Sequence, residues 1–336
     1  MSILNNTEVQ SQTEAINKIK PQPGLFGSLG LYREQMVGSD AISFDVRDNN
    51  LHVLSDHLRN VAEKNVTGER PYDVHTMALP HYPVTRTIGR ERLAGIRGFD
   101  QQSEQTVAQA VAEELEVQVE HHELHLEYLQ ALMTLTGQVD TDHYGTIDMA
   151  TEFGVSRPTQ ALNDGSLTAD LRAAQRVSKA GLTNGGRIGG YILFAGVDMF
   201  DHIVGSSDVQ QAYQFDNSGN NPLRLELGTV ANGYSMFQMG NVSVVQYDDS
   251  FQKADGSTVD VLTPEAGVLV PRTKLGRAFF GPESTLGGLG NGGARRFARS
   301  FRDPRDRYVE VSSEQNSLIV AEQFGATVEL SIGTAA

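Results

Sequence analysis

Cysteine is missing from all 336 residues, and so is tryptophan. The first absence removes disulfide stapling, thiolate nucleophiles and cysteine-based zinc sites together. No apolar run approaches the roughly 20 residues that a bilayer-spanning helix needs, because glycine or charge breaks the longest candidates. The first twenty residues are polar and lack the apolar stretch of a secretory signal. These absences fit synthesis in a reducing cytoplasm with no membrane partner. Positive charge is also scarce: 27 Lys and Arg stand against 42 Asp and Glu, for a net charge of −15. A chain of that balance is not built as a whole to grip nucleic acid, since phosphate contacts need Lys and Arg.

What remains is enough for a folded body. The length predicts about two domains, and 39% hydrophobic residues can fill a sizeable core. The charge is placed unevenly. Residues 101–154 contain no Lys or Arg, while Glu104, Glu113, Glu114, Glu116, Glu120, Glu123 and Glu127 fall close together. Residues 272–307 hold nine basic side chains against three acidic ones.

Residues 1–24 read as an arm, polar and ending in Pro21-Gln22-Pro23-Gly24, which favours extended chain. Ile42, Phe44 and Val46 alternate with polar neighbours, which predicts a strand; Asp48-Asn49-Asn50 supplies a turn, with 51–54 as its returning partner. Residues 55–97 are polar, carry Pro71, Pro80 and Pro83, and offer little core density, as a partner-binding loop would. The strongest element is a helix over about 103–136. Val107, Val111, Leu115, Val119, His122, Leu126, Leu129 and Met133 recur at spacings of three and four, and Gly137 ends the run. Strand is predicted at 144–155, a second helix at 167–179, and short strands and helices over 191–280, including 191–194, 209–215, 242–247, 259–262 and 268–270. Residues 281–293 form a Gly-rich loop. Two alternating strands close the chain at 308–312 and 326–332.

Little here points to catalysis. His121 and His125 stand four apart with Glu nearby, yet the His-Glu-x-x-His order of a zinc helix is absent, since Leu126 follows His122 by four. The Gly-rich stretches at 181–190 and 287–293 lack the Lys-Ser/Thr of a phosphate loop, and no Gly-x-Ser-x-Gly elbow occurs. The expectation is a non-enzymatic protein with no cofactor and no metal. The arginines of 295–307 suit ion pairs with the acidic surface of a neighbouring copy at least as well as phosphates.

A polar arm, an extended polar loop flanked by strands, a very long helix, a mixed α/β middle and a returning terminal strand resemble the Hong-Kong-97-type capsid fold. Within that fold, residues 24–334 are most similar to the lambda-type major capsid protein family of tailed bacteriophages. Asp40-Ala41-Ile42-Ser43-Phe44-Asp45-Val46 resembles the family's strand into the extended loop. Leu79-Pro80-His81-Tyr82-Pro83-Val84 stands where the loop's returning arm has a Thr-Pro-Pro-Tyr-like stretch, here without the doubled Pro. Residues 127–137, closing in Leu135-Thr136-Gly137, resemble the end of the family's long helix, and Asp303-Pro304-Arg305 before Tyr308 resembles its return into the last strand.

The resemblance implies an α+β subunit with an N-terminal arm and entry segment (1–39), an extended E-loop (40–97), a peripheral domain (98–184 and 303–336, with the spine helix at 103–136) and an axial domain (185–302). It implies self-assembly into the hexamers and pentamers of an icosahedral head shell enclosing double-stranded DNA. A portal protein is a further implied partner, and a decoration protein is common in the family. Only about 25 residues precede the fold, so a separate scaffold protein is expected. Candidate assembly contacts are Lys64, Arg70, Arg86, Arg90, Arg295, Arg296, Arg299, Arg302 and Arg305. The long helix is expected along the inner wall, where Glu113, Glu116, Glu120, Glu123 and Glu127 would keep the surface acidic near the packaged genome. Two rivals remain: an encapsulin-like nanocompartment shell, which the polar Pro-ended arm disfavours, and a metal-dependent hydrolase using His121 and His125.

Overall fold

The computed structural model describes residues 10–21, 24–47, 72–89, 103–182, 188–210, 234–253, 255–288 and 290–333, and every structural statement concerns these. The predicted long helix is there as α3, Ser103–Leu135. Its 33 residues reach about 50 Å at ~1.5 Å per residue. Around it lie α1 (Thr13–Lys18), α2 (Leu25–Leu29), α4 (Met149–Phe153), α5 (Leu167–Ala180) and α6 (Val197–Gly205).

Two six-stranded sheets make the body. The first runs β1 (Gln10–Ser11), β16 (Phe297–Arg302), β17 (Tyr308–Val320), β15 (Gly276–Phe280), β2 (Tyr32–Met36), with β5 (His81–Gly89) also paired to β17. The second runs β10 (Met236–Met239), β11 (Val242–Gln246), β9 (Tyr191–Ala195), β14 (Ala266–Pro271), β18 (Val328–Ile332), β8 (Thr159–Leu162). Three two-stranded ladders complete the set: β3 (Ala41–Arg47) with β4 (Tyr72–Ala78), β6 (Gln138–Thr141) with β7 (Gly145–Asp148), and β12 (Ser250–Gln252) with β13 (Thr258–Asp260).

The second sheet is covered on both faces, which is why β9 reads as the unbroken apolar run Tyr-Ile-Leu-Phe-Ala. Tyr191, Leu193 and Ala195 pack in one cluster with Leu167, Leu171, Met199 and Ile203 of α5 and α6. Ile192 and Phe194 turn the other way, into the main core with Leu126, Leu129 and Met133 of α3 and Phe279 and Phe280 of β15. Alternation along the strand thus sews the helices on one side to α3 and the first sheet on the other.

Several expectations need correction. Residues 144–155 are not one strand: Asp148 ends β7 and accepts a hydrogen bond from the Ala150 N–H, which starts α4 instead. The strand expected at 308–312 continues to Val320, through a Ser-Glu-Gln-Asn stretch whose polarity hides it. Strand β3 pairs over its full length with β4, 24 residues on, while the proposed turn at 48–50 and partner at 51–54 lie outside the described residues. Residues 81–89, expected as loop, pair with β17 at nine positions. Part of the expected arm folds onto its own chain: Gln10 and Ser11 pair with β16, and Ile16 is fully buried in a cluster with Ile88, Val119 and Val311. The sheets interleave the sequence: the terminal strand β18 lies between β14 and β8, whereas β15 and β16 join the sheet of β17.

Candidate assembly surfaces along the long helix

Helix α3 sorts its glutamates by face. Val111, Leu115, Val119, Leu126, Leu129 and Met133 are buried, so the stripe read from the sequence is the inward one. Glu113, Glu116 and Glu120 are exposed on the opposite side. Glu114 is buried, with Oε1 3.8 Å from Nη1 of Arg86, an exposed residue of β5.

Glu123 and Glu127, expected on the acidic wall, are taken up inside the subunit. Glu123 is 12% exposed and meets the guanidinium groups of both Arg295 (3.0 Å) and Arg296. Arg295 also reaches Glu34 of β2 at 3.0 Å. Arg296 is 2% exposed, and its burial pulls its pKa down to about 10, with Glu34 opposing the shift. Glu127 accepts the backbone N–H of Phe26 (2.6 Å) and Gly27 (3.0 Å) at the start of α2. Burial raises the Glu127 pKa above its ordinary value, and those two N–H bonds work against the rise. Gly24 precedes α2 because a Cβ there would strike the Glu127 carboxylate. The physical reason is the segment from Gly24 to Glu34, which crosses this stretch of α3 and covers it; nothing in a helical pattern alone records that.

The basic segment also makes most of its visible ion pairs within the chain. Beyond Arg295 and Arg296, Arg299 pairs with Glu283 at 2.5 Å, Arg302 with Asp306 at 2.6 Å and Arg307 with Asp303 at 2.9 Å. The last two pairs brace the turn between β16 and β17, where Asp306 takes a positive φ of 57°. Arg305 stays exposed at that turn. Lys64, Arg70 and Arg90 lie outside the described residues.

The two histidines of the zinc-like spacing part company. His121 is exposed, whereas His125 sets its ring against Tyr82 with centroids 4.0 Å apart. Among the described residues, no three His, Asp or Glu side chains converge on a point that would hold a metal. His122 is buried and shares a 2.9 Å hydrogen bond with the Ser313 hydroxyl. Burial, with Arg296 nearby, lowers its pKa to about 3; burial alone lowers that of His125 to about 4.

Arg157 went unnoticed in the sequence, where it is one arginine in a loop. It donates to the carbonyls of Thr134 (2.7 Å) and Leu135, to Thr327 Oγ1 at 3.0 Å, and lies over the Phe324 ring at 4.6 Å. A cation on the last carbonyls of α3 complements the negative end of the helix dipole.

The architecture has relatives. The chain is 24% identical over 337 residues to the major capsid protein of Pseudomonas phage KPP10, covering 95% of both. The crystal structure of the putative capsid protein of a prophage of E. coli CFT073 superposes with a TM-score of 0.65 at 11% identity, over 97% of this chain and 100% of that one. The mature capsid of bacteriophage PhiM1 matches with a TM-score of 0.50 at 10% identity, over 95% and 89%. These likenesses bear out the capsid fold, and the family model described as phage major capsid protein E matches residues 8–332. This chain therefore belongs to the phage major capsid protein E family, and it is a major capsid protein of a tailed phage.

Proposed function

We propose that this subunit closes hexamers and pentamers of an icosahedral head shell around double-stranded DNA, as a structural, non-enzymatic protein with no cofactor. A separate scaffold protein and a portal protein would work with it, and a decoration protein would be an optional addition. In this reading the chain is made in the host cytoplasm and ends in the virion. The sheet of β17 with α3 would be peripheral, and the sheet of β9, β11 and β14 axial.

The observation that carries the proposal to the inner wall is the exposed row Glu113, Glu116 and Glu120, with no Lys or Arg anywhere on α3. Glu116 and Glu120 stand at i,i+4, where like charges weaken a helix. An acidic wall would keep packaged DNA from binding, because each phosphate contact from a basic wall would add affinity through counterion release. Glu123 and Glu127 drop out of that wall, having partners inside the subunit. Arg86 and Arg305, both exposed, and Lys64, Arg70 and Arg90 remain proposed assembly contacts. The test replaces Glu113 and Glu120 with Lys together. Shells should assemble normally while genome packaging or release slows. Failure of empty shells to form would mean that these carboxylates are subunit contacts.

A further inference from the structure

The second sheet carries two helices of opposite charge on one face. Helices α5 and α6 cover the side of β9 that bears Tyr191, Leu193 and Ala195, while α3 lies against the other side. Along α5 the buried stripe is Leu167, Leu171, Ala174 and Ser178. The opposite stripe is Arg172, Arg176 and Lys179, spaced i, i+4, i+7 and all exposed. The one acid of that helix, Asp170, is taken up by Asn163 and Ser166 at its N-terminus. Helix α6 is the reverse: it buries Met199 and Ile203 and exposes Asp198 and Asp201, with no Lys or Arg in its length.

Among the described residues, none of these five charged side chains has a hydrogen bond or an ion pair. The arginines of 295–307 mostly find partners in their own subunit; those of α5 do not. Each charged face also shows one large apolar side chain, Val177 at 40% exposure on α5 and Val197 at 38% on α6. The faces sit toward opposite edges of the sheet. Helix α5 packs over β14, β18 and the edge strand β8, whereas α6 reaches β9 and β11, toward the other edge at β10. The start of α5 is tied to the end of α6, where Asp208 accepts the Thr168 N–H at 3.3 Å and Asp164 accepts that of Ser207 at 3.1 Å. The free charges lie away from that junction.

We propose that α5 and α6 are the two halves of a head-to-tail contact between copies of this chain. Arg172, Arg176 and Lys179 of one subunit face Asp198 and Asp201 of the next, and Val177 meets Val197 between them. The inference rests on the reading that the subunits close rings of five and six. Copies related by an axis through a ring keep the same face toward the same side of the shell. The helices on one face of the sheet therefore meet each other, and the acidic row of α3, on the opposite face, does not compete. A contact between two different patches repeats from copy to copy and closes where the rotation allows. One sign on each edge also sets the direction, because α5 against α5 or α6 against α6 would oppose like charges. The flexible stems of Arg and Lys let one pairing serve the slightly different angles of the two rings.

Because the chain has no cysteine, a designed pair reports the contact directly. Val177→Cys with Val197→Cys in the full chain, assembled and oxidised, should give a non-reducing ladder ending at five and six linked subunits. Either change alone should give monomers. A ladder that stops at dimers would place the patches on a two-fold contact, and monomers from the double variant would mean that they do not meet; both overturn the proposal. Electron microscopy separates this contact from the shell itself. Monomers on the gel beside normal shells sink the contact alone, whereas a full ladder from a chain whose parent forms no shells sinks the shell reading alone. Charge reversal is the second readout, at exposed positions that leave the subunit folded. Arg172→Glu with Arg176→Glu, or Asp198→Lys with Asp201→Lys, should lower shell yield at least about tenfold, and all four together should restore it. Full yield from both reversed pairs, or no recovery when they are combined, would equally overturn it.

Discussion

The two halves of α3 are built on different terms. From Leu126 onward, Leu126, Leu129, Ala131, Met133 and Leu135 are all within 3% of full burial and belong to the main core. Arg157 closes the carbonyl end, and Gly137 takes the left-handed turn beyond it at φ 76°. Before Leu126 the apolar contacts are a small cluster of Ala110, Val111, Leu115 and Val119 with Ile16, Ile88, Ala298 and Val311. There the helix holds its sheet through Gln118 and His122 and shows Glu113, Glu116 and Glu120 outward. One continuous helix is thus rooted at its C-terminal end and lightly held at the other. A subunit that must reach neighbours while keeping its own fold is served by that division.

The largest effect should come from the rooted half. Leu129→Ala in the main core is expected to cost toward the upper end of roughly 2–5 kcal/mol, whereas Leu115→Ala in the small cluster should fall at the lower end. Chemical denaturation of the subunit measures both, and equal losses would dissolve the distinction between the halves. Next in size, Arg157→Ala strands the Thr134 and Leu135 carbonyls, each worth about 1–3 kcal/mol when left unpaired. Faster hydrogen exchange confined to the last turns of α3 would locate that loss.

Acid should act on the lightly held half. His122 and His125 titrate at about 3 and about 4 in the fold, well below the ordinary value of 6.5. Between those values and 6.5 the unfolded chain takes up protons that the folded one refuses. Their contribution is therefore complete above pH ~6.5 and is lost progressively as the pH falls toward 4 and then 3. Glu127 works in the opposite sense: its raised pKa makes its contribution complete only below the ordinary carboxylate range, and it erodes above. Denaturant midpoints from pH 7 to 4 should fall for the parent and fall less steeply for His122→Asn, which keeps His125. A parent midpoint that does not fall would mean that the histidines are not held neutral. The smallest change is Glu116→Gln, an exposed position where less than about 0.5 kcal/mol should be seen in either direction.

The long helix was legible because its stripe repeats over eight positions with no proline, and a local pattern of that length leaves one reading. The apolar strands β9, β11 and β14 were legible as short apolar runs. Strand β5 and the second half of β17 were not, since His81-Tyr82-Pro83 and Ser312-Ser313-Glu314-Gln315 read as loop until each is seen paired to the other. The site was legible as charge and misread as location. Nothing local distinguishes Glu123, which meets two arginines some 170 residues away, from Glu120, which faces solvent.

The sequence by itself determined the helix, its one-sided charge, the absence of thiol chemistry, and the order of elements that marks the capsid fold. These are properties of neighbours along the chain, and periodicity and composition record them. Only the tertiary structure decided which carboxylates stay on the surface, that most of the basic segment finds partners inside its own subunit, and that β18 lies inside the second sheet, between β14 and β8. Each of those depends on contacts between residues far apart in the chain, and the cost of burying a charge or an unpaired strand edge selects among pairings that local sequence leaves equivalent.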